Sequence, residues 1–148
     1  MLGQHLIKTW SATQQAFALS SAEAELYGMV ESVTRAKGLR SLAMDLGFRG
    51  LSSVVKLGTD SSAAKSFVCR RGLGRMRHLD IRDLWLQKEV REGTVEVSKI
   101  PGTQNPADLM TKILTVKEIR ERLEMMNLEM KMGGGGGAAI VEELSVCQ

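Results

Sequence analysis

At 148 residues, with 43% hydrophobic and 25% charged side chains, the chain has the make-up of one modest globular domain with its own core. A net charge of only +3 does not by itself imply a nucleic-acid partner, and 4% aromatic content leaves the core to aliphatic side chains and nine methionines. No apolar run approaches the ~18 residues of a membrane span, the start MLGQHLIKTW is not a secretory signal, and Cys69 and Cys147 match no zinc or redox spacing; the expectation is an intracellular chain, cytoplasmic or nuclear, with no membrane partner.

Residues 5–10 and 16–19 read as two short strands separated by the turn-prone 11–15. Ser20 then opens a helix, with Glu23 at capping-box spacing. Leu26, Met29, Val30, Val33, Leu39, Ala43 and Leu46 recur at helical period until Gly47 stops the run. Gly38 weakens its middle by about 1 kcal/mol relative to alanine. Residues 54–58 form a short β-branched run, a buried strand that ends at Thr59-Asp60. A short helix follows over 61–69.

From 61 to 79 there is no acid, but Lys65, Arg70, Arg71, Arg75 and Arg77 are present. Such clustering is the footprint of a phosphate-contacting loop, with an ordinary solvated basic loop as the alternative. Residues 79–91 read as a helix with Ile81, Leu84 and Trp85 on one face, and 94–100 as a strand sharing Val95 and Val97 on one side. Pro101-Gly102 breaks that strand, and Asn105-Pro106 starts another helix. Thr115 and Glu118 make a second capping box, opening an amphipathic helix over 116–131 with Val116, Ile119, Leu123, Met126 and Met130 as its stripe. Residues 133–137 are all glycine, so 132–148 reads as a linker and flexible tail. Strands alternating with helices indicate an α/β fold, a mixed sheet covered by helices.

Most acids fall on helix faces beside bases, but three do not. Asp60 ends a buried strand, where open α/β sheets place ligands. Glu25 sits beside Leu26 near the start of the long helix, and Asp108 lies in the first turn opened by Asn105-Pro106. Each also suits a cap or a helix-dipole partner. Asp80 and Asp83 read as helix N-terminal acids.

The stretches SSAEAELYGMVES, LGTDSSAAKSF, RHLDIRDLWLQKEV and IPGTQNPADLMTKIL occur here in that order. Together they resemble the ribonuclease H domain that closes the polyprotein of Copia-type retrotransposons, with its ALSSTEAEY, CDNQSA, KHIDIR and VP…ADxxTK segments. The resemblance runs from about residue 4 to about residue 128. It implies a ribonuclease H-like mixed sheet flanked by helices over 1–131, and two-metal hydrolysis of the RNA strand of RNA/DNA hybrids. It also implies two Mg²⁺ ions and a polyprotein partner upstream, the reverse transcriptase. Carried across by position, Glu25, Asp60 and Asp108 match metal-binding carboxylates, and Glu23 becomes the capping residue. Arg70, Arg71, Arg75 and Arg77 would grip phosphates. His78 matches the family's histidine, with helix entry or packing as the alternative.

Mg²⁺ prefers oxygen ligands, and two such ions about 4 Å apart can position a water and stabilise the leaving oxygen. The family's first-strand aspartate has no counterpart, because no acid precedes Glu23. Asp45, Asp80 and Asp83 lie on expected helix faces and are poor substitutes. The expectation is a fold whose first strand is missing, truncated at its N-terminus and impaired alone. The rival readings are a remnant that only binds nucleic acid, and an interaction protein that docks through 116–130.

Overall fold

The structure, a computed structural model, describes residues 6–10, 12, 17–72, 81–132 and 141–146. Arg75, Arg77, His78, Asp80, Cys147 and the glycine run 133–137 lie outside the described residues, as do the side chains of Ile81 and Asp83. The chain divides into two compact units, one of residues 14–102 and one of 1–13 with 103–148.

In the first unit, helix α1 (Ser21–Asp45) starts where the sequence expects. Ser20 Oγ accepts from the Glu23 amide at 3.2 Å. The Glu23 carboxylate accepts from the Leu19 amide at 2.8 Å, one residue further out than an ordinary capping box, and from the Tyr27 hydroxyl at 2.7 Å. At the far end the Gly47 amide donates to Met44 O and the Phe48 amide to Ala43 O, both at 3.0 Å. This Schellman closure needs the positive φ of 85° that Gly47 supplies.

Strand β1 (Val55–Thr59) pairs in parallel with β2 (Val95–Lys99), in a register running from Val55 opposite Val95 to Thr59 opposite Lys99. The crossover between them carries α2 (Ser62–Cys69) and α3 (Ile81–Arg91). Leu26, Met29 and Val33 of α1, Phe67 and Val68 of α2, Leu86 of α3 and Val95 of β2 form the core. Helix α3 therefore turns Leu86 fully inward, while Leu84 and Trp85 only flank the core. The expected apolar stripe of α1 holds through Val33, but Leu46 is exposed.

Two polar fasteners lock α3. Gln87 Nε2 donates to Phe67 O at 2.9 Å and Gly72 O at 3.1 Å, and its Oε1 accepts from the Gly72 amide at 3.1 Å. Buried Glu89 takes an ion pair from Lys37 and a hydrogen bond from the Thr94 hydroxyl, tying α3 to α1 and to the turn before β2. The Lys37 ammonium also lies 5.4 Å from the centre of the Trp85 ring.

In the second unit, a 3₁₀ turn (Pro106–Met110) is capped by Asn105, whose Oδ1 accepts from the Ala107 amide at 3.1 Å. Helix α4 (Val116–Met125) has the full Thr115–Glu118 capping box. Leu123, Met126 and Leu128 make a small core, with Leu6, Leu109 and Ile119 against it. Val116, expected in the stripe, is exposed.

Three expectations are corrected. The helix expected over 116–131 ends at Met125, because Asn127 takes φ 57° and turns the chain into β3 (Leu128–Met132). Strand β3 pairs antiparallel with β4 (Val141–Val146), so those tail residues are strand. Residues 6–10 and 17–19 are not strands, and Ile7 at 54% and Phe17 at 99% exposure face solvent. A strand needs a ladder partner, and none runs beside them among the described residues. The α/β character is as expected. Among the described residues the sheets are two, each of two strands.

Hydrogen bonding by Lys37, then by Thr94, holds the Glu89 carboxyl below the usual carboxylate range. A carboxylate so lowered stabilises the fold fully above its unfolded-state pKa, and that contribution is lost as pH falls through the folded-state value. Glu89→Gln is therefore expected to flatten the acid side of the stability profile while changing little of its slope near neutrality. Urea midpoints measured across a pH series check this; parallel acid limbs in the two proteins would refute it. Phe67→Ala, which empties the centre of the core, is expected to cost about 3–5 kcal/mol in the same unfolding measurement.

Candidate functional site

Asp60 directly follows β1 and faces the start of α2, yet it does not cap that helix. Ser61 does, its Oγ accepting from the Ala64 amide at 3.2 Å while its own amide donates to Thr59 Oγ1 at 3.1 Å. Half-buried Asp60 has no hydrogen-bonding or ion-pair partner among the described residues. A Cβ on Gly102 would sit 3.5 Å from Asp60 Oδ2, an ordinary contact distance, so the segment after β2 runs beside the carboxylate. Asp60 and Gly102 thus share the carboxyl end of the parallel pair, where α/β folds hold ligands. Lys99, the last residue of β2, donates to Ser62 Oγ at the same end.

Glu25 lies on the exposed side of α1, whereas Glu23 is buried. Although Glu25 adjoins Leu26 in sequence, helical phase turns Leu26 inward and leaves Glu25 outside, and the two hydrogen bonds at Glu23 draw that carboxylate in instead.

Asp108, in the other unit, is neither a cap nor a free ligand. Its side chain is 7% exposed, with Oδ1 3.0 Å from the Lys112 ammonium and Oδ2 3.5 Å from Nη2 of Arg122, itself 4% exposed. Arg122 further donates to Asn105 O at 3.3 Å and Glu118 O at 3.2 Å. This network clamps the 3₁₀ turn to α4. The capping role expected for Asp108 falls to Asn105.

Two Mg²⁺ ions would require several carboxylate oxygens close together and unclaimed. Among the described residues of either unit, no group of three or more His, Cys, Asp or Glu side chains is placed to hold a metal ion. Asp108 is already neutralised twice. The described residues therefore do not fit a complete two-metal centre, and Asp60 is the acid best disposed to contribute to one.

The basic residues have a defined setting. Arg70 is the C-cap of α2, its guanidinium 4.8 Å from the centre of the Phe67 ring. Arg70 and exposed Arg71 line a cleft of about 260 Å³ between the ends of α2 and α3, together with Arg91. Arg91 escapes a reading of the sequence because a basic residue in a last helical turn is ordinary. Its spacing of four from Gln87 was the available signal, since it places both on one helix face.

The chain is similar to the retrovirus-related Pol polyprotein from transposon TNT 1-94 of Nicotiana tabacum, with 29% identity over 106 residues. The match covers 70% of this chain and 8% of that polyprotein, so the chain spans a small part of its relative. No protein-family model and no solved structure matches the chain.

If Asp108 is structural, Asp108→Asn leaves Arg122 buried with its charge uncompensated. We expect a loss of about 3 kcal/mol, reduced from the upper range for buried pairs by the two carbonyls that Arg122 keeps. Urea unfolding without magnesium measures it, and a loss below about 0.5 kcal/mol, the scale of an ordinary surface change, would contradict the clamp.

Proposed function

We propose that this chain is the ribonuclease H-like portion of a transposon Pol polyprotein, acting on RNA/DNA hybrids. The observation that carries the reading is Asp60, a partially buried carboxylate with no partner among the described residues, at the carboxyl end of a parallel strand pair. Burying such a charge has a free-energy cost, so an acid left without a partner suits a cation or a proton donor better than a structural role. The similarity to a Pol polyprotein supports the same direction. In this reading Asp60 and Glu25 belong to the metal-binding acids, Mg²⁺ is the cofactor, and the remaining ligands lie beyond the described residues of this unit. Arg70, Arg71, Arg75, Arg77 and His78 are its nucleic-acid contacts.

One observation favours a second reading, a remnant that binds nucleic acid without cutting it. Asp108, the acid that the family resemblance would make a metal ligand, is neutralised by both Lys112 and Arg122.

The two readings separate in one experiment. Purified chain is incubated with a labelled RNA–DNA hybrid, with and without Mg²⁺. The first reading expects Mg²⁺-dependent cutting of the RNA strand that falls at least ~100-fold in Asp60→Asn, beyond the ~10–100-fold cost of losing an outer partner of a metal ligand. Salt-sensitive binding that ignores Mg²⁺, with the RNA strand intact, would overturn it in favour of the second.

A further inference from the structure

The cleft between α2 and α3 joins Arg70 and Arg71 to Arg91, a residue that neither reading uses. Its floor is apolar, from buried Val68 and half-buried Val90. Its rim carries Arg70 and Arg71 from the segment after α2 and Arg91 from the last turn of α3. At about 260 Å³ it has room for a group several times the ~30 Å³ of a water molecule. None of the described residues lining it is acidic, and Glu89 and Glu92 of the same stretch are engaged elsewhere, Glu89 by Lys37 and Thr94 and Glu92 by Lys88. Among the described residues the side chains of Arg71 and Arg91 have no hydrogen-bonding or ion-pair partner.

The segment bearing Arg70 and Arg71 is held in place. Gln87 makes both an accepting and a donating bond to Gly72 and a third bond to Phe67 O. Gly72 supplies the positive φ of 77° that the turn demands. The Phe67 ring fixes the Arg70 guanidinium from one side. Such anchoring reduces the ordering cost of binding. The carboxyl ends of α2 and α3 each bring roughly half a negative charge to the cleft, which three guanidinium charges outweigh. The guanidinium groups of Arg71 and Arg91, without a partner among the described residues, line this roomy cleft beside that of Arg70 and match the oxygens of a phosphate, which accept paired N–H bonds from arginine.

We propose that Arg70, Arg71 and Arg91 form a phosphate-binding cleft that takes a backbone phosphodiester of a nucleic acid, with Arg91 as its decisive member. The choice of nucleic acid over a free phosphate rests on the function proposed above; the phosphate chemistry does not. The contact is sequence-independent and needs no magnesium. It would add a grip from α3 to the basic segment after α2, on the face of the unit where the two helices end.

The test uses the full chain without Mg²⁺ and two probes, a short labelled RNA–DNA hybrid and inorganic tripolyphosphate. Arg91→Ala is expected to weaken hybrid binding about fivefold or more, and to lower the slope of log K against log salt concentration by about one. Arg120→Ala, an exposed arginine on α4, is the control and should change neither beyond what loss of one distant charge causes. Cys69 is exposed and lines the same cleft, so it reports location: hybrid should slow its alkylation several-fold in the unaltered chain and not in Arg91→Ala. Peptide-resolved mass spectrometry keeps Cys69 distinct from Cys147. Arg91→Ala behaving as Arg120→Ala, or hybrid binding that leaves Cys69 fully reactive, would overturn the cleft. Protection by tripolyphosphate but not by hybrid would overturn the nucleic-acid source. Cutting is not scored, so a chain that binds through Arg91 but never cleaves refutes the enzymatic reading alone, and one that cleaves with Arg91→Ala unaffected refutes only the cleft.

Discussion

Parallel strands cannot be joined by a tight turn, and the pairing of Val55–Thr59 with Val95–Lys99 imposes that constraint on everything around it. The chain must leave the carboxyl end of β1, travel back, and re-enter at the amino end of β2. Helices α2 and α3 make that journey, and their packing under α1 supplies the core through Phe67, Val68 and Leu86. The same pairing sets the geometry of function. Asp60 and Gly102 arrive at one end of the sheet because both strands finish there, while the ends of α2 and α3 meet elsewhere and gather three arginines.

The carboxylates show how differently one chemical group can be used. Glu23 is buried and hydrogen-bonded by Leu19 and Tyr27, fixing the entry to α1. Glu89 is buried and ion-paired, fastening α3. Asp108 is buried between a lysine and an arginine, holding the 3₁₀ turn against α4. In each case the cost of removing a charge from water is offset by partners within hydrogen-bonding or ion-pairing reach. Asp60 departs from this pattern, being half-buried with no such partner among the described residues. That contrast, more than the motif around it, sets it apart from the other three.

Similarity to a transposon Pol polyprotein gives these features a context without assigning them. The net charge of +3 is unevenly spread, and three of the bases, Arg70, Arg71 and Arg91, line one cleft that no described acid lines. Distribution, rather than total charge, is the relevant quantity.

Local rules were legible in the residues alone. Ser20, Asn105 and Thr115 cap their helices, Gly47 closes α1, and the β-branched run before Asp60 is a strand, because each depends on neighbours a few positions away. The basic stretch containing Arg70 and Arg71 was equally visible. What the sequence could not decide was which partner each element meets. The apolar runs at 6–10 and 17–19 looked like strands but pair with nothing among the described residues, while Leu128–Met132 looked like more helix until Asn127 turned it toward Val141–Val146. Only tertiary packing chose Leu86 and Gln87 as the inward face of α3, which in turn brought Arg91 to the cleft. Likewise, only tertiary contacts separated Asp60 from Asp108. Caps and turns are settled by bonds within a few residues, whereas burial and ion pairing depend on groups far apart in the chain, and no local pattern encodes those.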